Sequence, residues 1–161
     1  MQPQALTGGH DRRTFDCGRP VLNDWLRRIA GQHQAKGLSK TFVVVVEEQP
    51  TRICGYYALT LAELESGTMP EAWRKKLPQR IPGVRLGRLA VDLEFQGKRL
   101  GSLMLVDALV RARRIHDEAG GIGLFVDAKD EEAAGWYRRF GFVALPEHPL
   151  LLFHPVHGLS L

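Results

Sequence analysis

Between residues 84 and 128 the chain runs strand, short polar loop, long helix, strand, an order that limits it to an α/β architecture. Residues 84–93 are strand-like with Gly87 in the interior, a placement that marks a bulge or a close backbone approach. Gln96 to Gly101 form a short loop opening a helix over residues 98–117, apolar around most of its circumference and therefore packed between other elements. Gly120 to Gly123 end that helix. Residues 124–128 then read as a strand, 131–140 as a helix, and 142–145 and 150–153 as terminal strands.

Upstream, Pro20 stands near a helix start, and Val21, Leu22, Trp25, Leu26 and Ile29 recur at helical spacing, which predicts one amphipathic helix over residues 20–36 closed by Gly37. The β-branched run 41–48 and residues 53–61, separated by the turn residues Gln49, Pro50 and Thr51, predict a hairpin. Residues 65–83 contain Pro70, Pro78, Pro82, Gly67 and Gly83 and read as irregular, with one short helix around Trp73. No repeat, low-complexity segment or composition shift marks a boundary, so residues 1–161 are read as one domain.

Composition decides the class. With 161 residues, 44% hydrophobic and 25% charged, the chain has the makeup of an ordinary globular domain. A chain of this length buries roughly 70% of its unfolded surface and needs neither disulfides nor metal to hold a core. Its two cysteines, Cys17 and Cys54, lie far from any metal-ligand spacing, and no metal is expected. The start lacks a basic stretch followed by an apolar one, and the longest branched apolar run, Phe42 to Val46, falls far short of the ~20 residues of a membrane span. These features read as a reducing, cytoplasmic protein.

The net charge of +4 is concentrated. From Pro70 to Ala90, Arg74, Lys75, Lys76, Arg80, Arg85 and Arg88 face the single acid Glu71, a local +5. This segment is either a solvated loop or a docking surface for a polyanion.

The strand, glycine-containing loop and helix start at Gln96 to Ser102 make an anion site suited to phosphate, because exposed N–H groups and the positive end of the helix dipole converge there. The spacing matches neither G-x-x-x-x-G-K-[ST] nor G-x-G-x-x-G, so a P-loop and a dinucleotide fold are set aside. Beyond it come Asp130 and then Ala133, Trp136, Tyr137, Arg138, Arg139, Phe140, Gly141 and Phe142. The order strand, Q-x-x-x-x-G loop, helix, strand, A-x-x-W-Y-R-R-F-G-F resembles the GCN5-related N-acetyltransferase superfamily over the whole core from Val84 onward. Phe15-Asp16-Cys17-Gly18, Leu22-Asn23-x-Trp25-Leu26, Gly55-Tyr56-Tyr57-Ala58-Leu59 and Leu86 to Asp92 further resemble the acetyltransferase toxins of bacterial toxin–antitoxin pairs.

The resemblance implies a mixed central sheet of six to seven strands, helices on both faces and a V-shaped splay between the two central strands. Acetyl-CoA is implied in that splay, with its pyrophosphate on the backbone of Gln96, Gly97, Lys98, Arg99, Leu100, Gly101 and Ser102. Its pantetheine would run antiparallel along Leu89, Ala90 and Val91. Asp130, which stands where many members have Asn, and Trp136 are further implied contacts. A backbone N–H near Val91 is implied as the oxyanion donor. Tyr137 matches the tyrosine that protonates the departing thiolate, a transfer close to balanced between a thiol at pKa ~8.5 and a phenol at ~10. Arg99 replaces the loop glycine of the family pattern. Either its backbone is right-handed enough to tolerate a side chain or cofactor binding is weakened, and its guanidinium could instead pair with a CoA phosphate.

No His or Glu is well placed as a general base: the six histidines lie outside the motifs, and His154 and His157 have no acidic partner at suitable spacing. An α-amino group near pKa ~7.7 needs a base less than a lysine at ~10.4 does. In the toxin family the acceptor is the α-amino group of aminoacyl-tRNA, whose acetylation blocks translation. The six basic residues then become a tRNA-phosphate surface, with Trp73 beside them and Arg27, Arg28, Arg138 and Arg139 extending it. The family also implies a ribbon-helix-helix antitoxin and leaves a homodimer open. Two alternatives remain: acetylation of a small-molecule or protein amine, and a catalytically silent acetyl-CoA-binding homologue.

Overall fold

The computed structural model describes residues 1–155. Its elements are β1 (Gln4–Ala5), α1 (Pro20–Arg28), α2 (Ala30–Ala35), β2 (Lys40–Val44), β3 (Gly55–Glu65), α3 (Glu71–Arg74), β4 (Arg80–Val91), α4 (Leu100–Ala119), β5 (Gly123–Asp127), α5 (Glu131–Arg138), β6 (Val143–Leu145) and β7 (His148–Pro155), with 3-10 turns at Ser66–Thr68 and Leu93–Phe95. The seven strands form one mixed sheet in the order β1-β2-β3-β4-β5-β7-β6. The expected α/β class, strand number and both hairpins are present: β2 pairs antiparallel with β3, and β6 with β7. The parallel ladder of β4 and β5 covers only Val84↔Leu124, Arg85↔Phe125 and Leu86↔Val126, and β4 runs on for five residues outside it. Among the described residues no helix is long and apolar enough to cross a membrane.

By internal contacts the chain divides into two compact units, Met1–Thr60 with Gly87–Ala108 and Leu61–Leu86 with Leu109–Leu161. The first packs Phe15, Trp25, Leu26, Val43, Ile53 and Tyr56 into one core. Trp25 stacks on Tyr56 at 6.0 Å and 8°, Phe15 meets Tyr56 edge-on at 5.4 Å, and the Tyr56 hydroxyl donates to the Leu22 carbonyl at 2.8 Å. Tyr57, the next residue of β3 and fully buried, donates its hydroxyl to Asp107. The second unit closes around Met69, Ile81, Phe125, Leu145 and Phe153.

The single helix expected over residues 20–36 is two. The backbone widens to φ −113° at Ile29, which still donates to the Trp25 carbonyl and accepts from the His33 N–H, and α2 begins at Ala30. Apolar spacing does run out at Ile29, and α2 is held by a different device: Gln34 donates to the Leu6 carbonyl at 2.8 Å and accepts from the Thr41 N–H at 3.0 Å. Gly37 closes α2 at φ +73°, as its type and position predict. The segment read as irregular ends earlier than expected, because β4 already begins at Arg80 and takes in Pro82 and Gly83.

Close backbone approach occurs at a different glycine from the one expected. A Cβ at Gly87 would meet nothing nearer than the Ala58 carbonyl at 4.0 Å, whereas one at Gly83 would stand 2.4 Å from the Phe125 ring. At the end of α4, the buried His116 places Nδ1 2.7 Å from the Gly120 carbonyl and Nε2 3.0 Å from the Gly123 carbonyl. Gly121, at φ +120°, admits no side chain there, since a Cβ would fall 2.0 Å from His116 Nδ1. This ring joins the helix end to the start of β5. His116→Leu removes the ring's hydrogen bonding to these carbonyls and is expected to lower unfolding free energy by about 1–3 kcal/mol in urea titrations. A loss below about 0.5 kcal/mol would show that the ring carries no structural weight.

Candidate active site

A buried carboxylate fixes where β4 ends and the glycine loop begins. Asp92 is 3% exposed; its Oδ2 accepts from the Asp16 N–H at 3.0 Å and its Oδ1 from the Glu94 N–H at 3.0 Å. Arg52 lies 3.7 Å from the same Oδ1 and donates to Glu94 at 2.8 Å. The Asp92 N–H donates to the Cys54 carbonyl at 2.9 Å, and the Leu93 N–H to the Asp16 carbonyl at 2.8 Å. Asp16 in turn accepts from the Gly18 N–H at 2.8 Å and the Asn23 amide at 2.9 Å, which hold its carboxyl below the usual range. Asn23 closes the cluster by accepting from the Cys17 N–H at 2.9 Å. The N-terminal motifs are thus a brace on the exit of β4. Sequence reasoning quoted these residues without assigning them this work. The available signal was a polar Asn23 on the apolar face of α1 and an acid directly after an apolar strand.

The loop itself turns through two left-handed residues, Gly97 at φ +78° and Arg99 at φ +61°. Of the alternatives left open for Arg99, the right-handed backbone is the one excluded: Arg99 is the one non-glycine residue with positive φ among the described residues, a geometry that costs an L-residue about 1 kcal/mol. The turn has a clear result. The Leu103 N–H takes the Arg99 carbonyl at 3.1 Å as the first helical bond, so the N–H groups of Leu100, Gly101 and Ser102 have no acceptor within α4. A Cβ at Gly97 would meet nothing within 4 Å, so the backbone there is open to a ligand. The donor set, several N–H groups at a helix start flanked by Lys98 and Arg99, fits a pyrophosphate. Gln96 also works through its side chain, whose amide donates to the Val91 carbonyl at 3.0 Å and pins the loop to the strand. Leu89 and Val91 are half-buried and Ala90 buried. Lys98 places its ammonium 5.4 Å above the Phe95 ring.

In the second unit Asp130 caps α5, accepting from the Ala133 N–H at 2.8 Å. Its carboxylate is engaged in that cap, which the sequence reading did not include. Tyr137 sits in an aromatic group, edge-on to Trp136 at 5.0 Å and to Phe142 at 5.5 Å. Burial pushes its pKa up to about 12. Among the described residues no group hydrogen-bonds its hydroxyl. The near-balance expected for proton transfer to a thiolate is corrected accordingly. From a phenol at about 12 to a thiol at ~8.5 an isolated transfer is roughly 5 kcal/mol uphill.

The basic segment does not form one free surface. Arg74 donates Nε to the Met69 carbonyl at 2.8 Å, Arg85 pairs with Asp127 at 3.1 Å, and Arg88 lies 4.4 Å over the Trp25 ring. Lys75, Lys76 and Arg80 are exposed. Arg74 to Arg85 belong to the second unit and Arg88 to the first. Trp73, expected beside RNA, packs edge-on against Phe153 at 5.2 Å. Charge counted along the chain does not register a partner such as Asp127, forty-odd positions away on the neighbouring strand. Arg138 pairs with Glu131. His154 contacts the Pro155 carbonyl at 2.9 Å, and His157 lies outside the described residues. Among the described residues no group of His, Cys, Asp and Glu could hold a metal ion.

Comparison with known proteins places these features in a family. The sequence profile of the acetyltransferase (GNAT) domain matches residues 39–144. A tRNA-acetylating toxin of Mycobacterium tuberculosis is 34% identical over 150 residues, 93% of this chain and 89% of the relative. The solved structure of AtaT complexed with acetyl-methionyl-tRNAfMet superposes with a TM-score of 0.89 at 30% identity, covering 96% of this chain and 94% of AtaT. A tyrosine-to-phenylalanine mutant of AtaT, bound to acetyl-CoA and the C-terminus of the antitoxin AtaR, gives 0.80 at 28% identity over 96% and 91% of the two chains. The chain belongs to the GNAT acetyltransferase family.

Proposed function

We propose that this protein is a toxin that transfers the acetyl group of acetyl-CoA to the α-amino group of an aminoacyl-tRNA, blocking translation in the cytoplasm. The observation that carries this reading is the likeness, over nearly the whole chain, to AtaT solved with acetyl-methionyl-tRNAfMet, joined to a relative named a tRNA-acetylating toxin. Bound acetyl-CoA supplies an acetyl thioester already activated toward an amine. The backbone N–H groups of Gly97 to Ser102 bind its pyrophosphate, with Lys98 and Arg99 adding charge. Leu89, Ala90 and Val91 present the strand edge for the pantetheine. The Val91 carbonyl is held by Gln96 and the Asp92 N–H by Cys54, so the oxyanion donor is the Val91 N–H itself. Asp130 and Trp136 hold the start and the aromatic face of the helix that carries Tyr137.

Tyr137 keeps its proton at Oη across the physiological range. Because giving it up unaided is uphill, the hydroxyl donates its proton to the leaving sulfur and the phenolate oxygen takes back, through water, the proton that the amine nitrogen releases on forming the amide, so the tyrosine ends the step protonated. Of the basic residues, Lys75, Lys76 and Arg80 remain candidates for tRNA phosphates together with Arg74 and Arg88, while Arg85 is offset by Asp127. A ribbon-helix-helix antitoxin is the proposed partner, by analogy with the AtaR-bound relative.

Incubation with charged tRNA and labelled acetyl-CoA is expected to label the aminoacyl moiety. Label on a free amine or a protein lysine instead would assign the enzyme to another acceptor. Tyr137→Phe is expected to lower kcat by ~10²–10⁴ with acetyl-CoA Kd unchanged. The acid form is the active one and its pKa is raised, so its contribution is present below about 12 and lost above. The wild-type rate should therefore rise with pH through the amine pKa of ~7.7 and then hold level to about pH 11. A tyrosine-dependent fall between about pH 8 and about pH 10 would remove Tyr137 as the acid. Arg99→Gly relieves the left-handed strain, so stability should hold or rise by up to about 1 kcal/mol. Calorimetric acetyl-CoA Kd should rise several-fold if the guanidinium pairs with a phosphate, and stay level if the backbone alone binds.

A further inference from the structure

The first unit contains a cleft of about 620 Å³ outside the acetyl-CoA loop, between the segment that follows β1 and the helices α1 and α2. That volume lies within the ~300–1,000 Å³ of ligand pockets. Three guanidinium groups line it, those of Arg12, Arg27 and Arg28, and no acidic residue does. Among the described residues no carboxylate pairs with Arg12 or Arg28. Arg27 is anchored by donating to the Arg13 carbonyl at 3.2 Å and the Phe15 carbonyl at 3.0 Å. A Cβ at Gly31 would stand 2.7 Å from the Arg12 Nη1, so the glycine leaves room for the guanidinium to lie across α2.

Arg27 has the Asp24 carboxylate at 4.0 Å, while Arg12 and Arg28 leave the cleft with an excess of positive charge that an anion relieves. The walls say which anion. The amide of Gln32 adds a polar donor, the amide of Gln34 is committed to the backbone, and the aliphatic contribution is confined to Leu6, which is buried, and Ala35. An amphipathic peptide would find no apolar pocket for an anchoring side chain, whereas a sugar-phosphate backbone needs only forked donors. We propose that this cleft binds the phosphate backbone of the tRNA, as a contact separate from the groups that handle the acetyl donor. The proposal rests on the tRNA reading above and assigns it a second surface.

The test uses the full chain and deacylated tRNA, which carries no acceptor amine, with Kd measured by fluorescence anisotropy across salt. R12A/R28A is expected to weaken binding about tenfold or more and to make the log Kd against log salt slope shallower by about 2. Calorimetric acetyl-CoA affinity and the thermal midpoint should stay at wild-type values. Gln32→Glu, which adds a carboxylate and deletes no guanidinium, should weaken tRNA in the same direction. Wild-type affinity and slope in both variants would overturn the proposal. So would a double variant that keeps tRNA but loses a poly-glutamate peptide, since the cleft would then be a peptide dock. If the wild-type chain itself binds no tRNA, the acceptor assignment falls and this proposal with it, a pattern distinct from failure of the cleft alone.

Discussion

The arrangement of the glycine loop depends on one buried charge. A carboxylate removed from water is costly unless its oxygens are filled, and Asp92 fills both with backbone N–H groups drawn from opposite directions, with Arg52 alongside. One of those donors, from Asp16, lies 76 positions away. Satisfying the charge therefore fixes the N-terminal segment, the exit of β4 and the turn into α4 as one arrangement. Gln96 extends it by gripping Val91. This polar cluster holds the strand end from which the turn at Gly97 and Arg99 leads to the open N–H groups at the start of α4.

Much of this was legible in the residues. Period and punctuation located every long element, and the Trp136–Tyr137 segment together with the glycine loop led to the right family. Four things were not legible, each for a physical reason. The division of the helix at Ile29 is a single-residue widening of φ that apolar spacing does not encode. The left-handed Arg99 is a backbone state set by the turn rather than by side-chain type. The pairing of Arg85 with Asp127 depends on strand register, so a run of positive charge looked more available than it is. Brevity and local conformation hid β1 as well, a two-residue strand whose place is set by β2.

Tyr137 shows how an environment changes a role without changing a residue. The aromatic group that desolvates it also keeps it protonated, so it is always loaded with a proton and reluctant to release one. Such a group suits a reaction in which the incoming amine gives up a proton as the sulfur takes one. It does not suit a mechanism that needs a free phenolate near neutral pH.

Each compact unit is assembled from two separate stretches of chain, and the boundaries fall inside β3, β4 and α4. During synthesis the first sixty residues emerge early, yet their core lacks Ala90 and the Asp92 brace until the chain has grown past the loop. The N-terminal unit therefore cannot close while the ribosome is still making β4. A nascent chain of this kind carries an unfinished N-terminal core until residues 90 and 92 have been added.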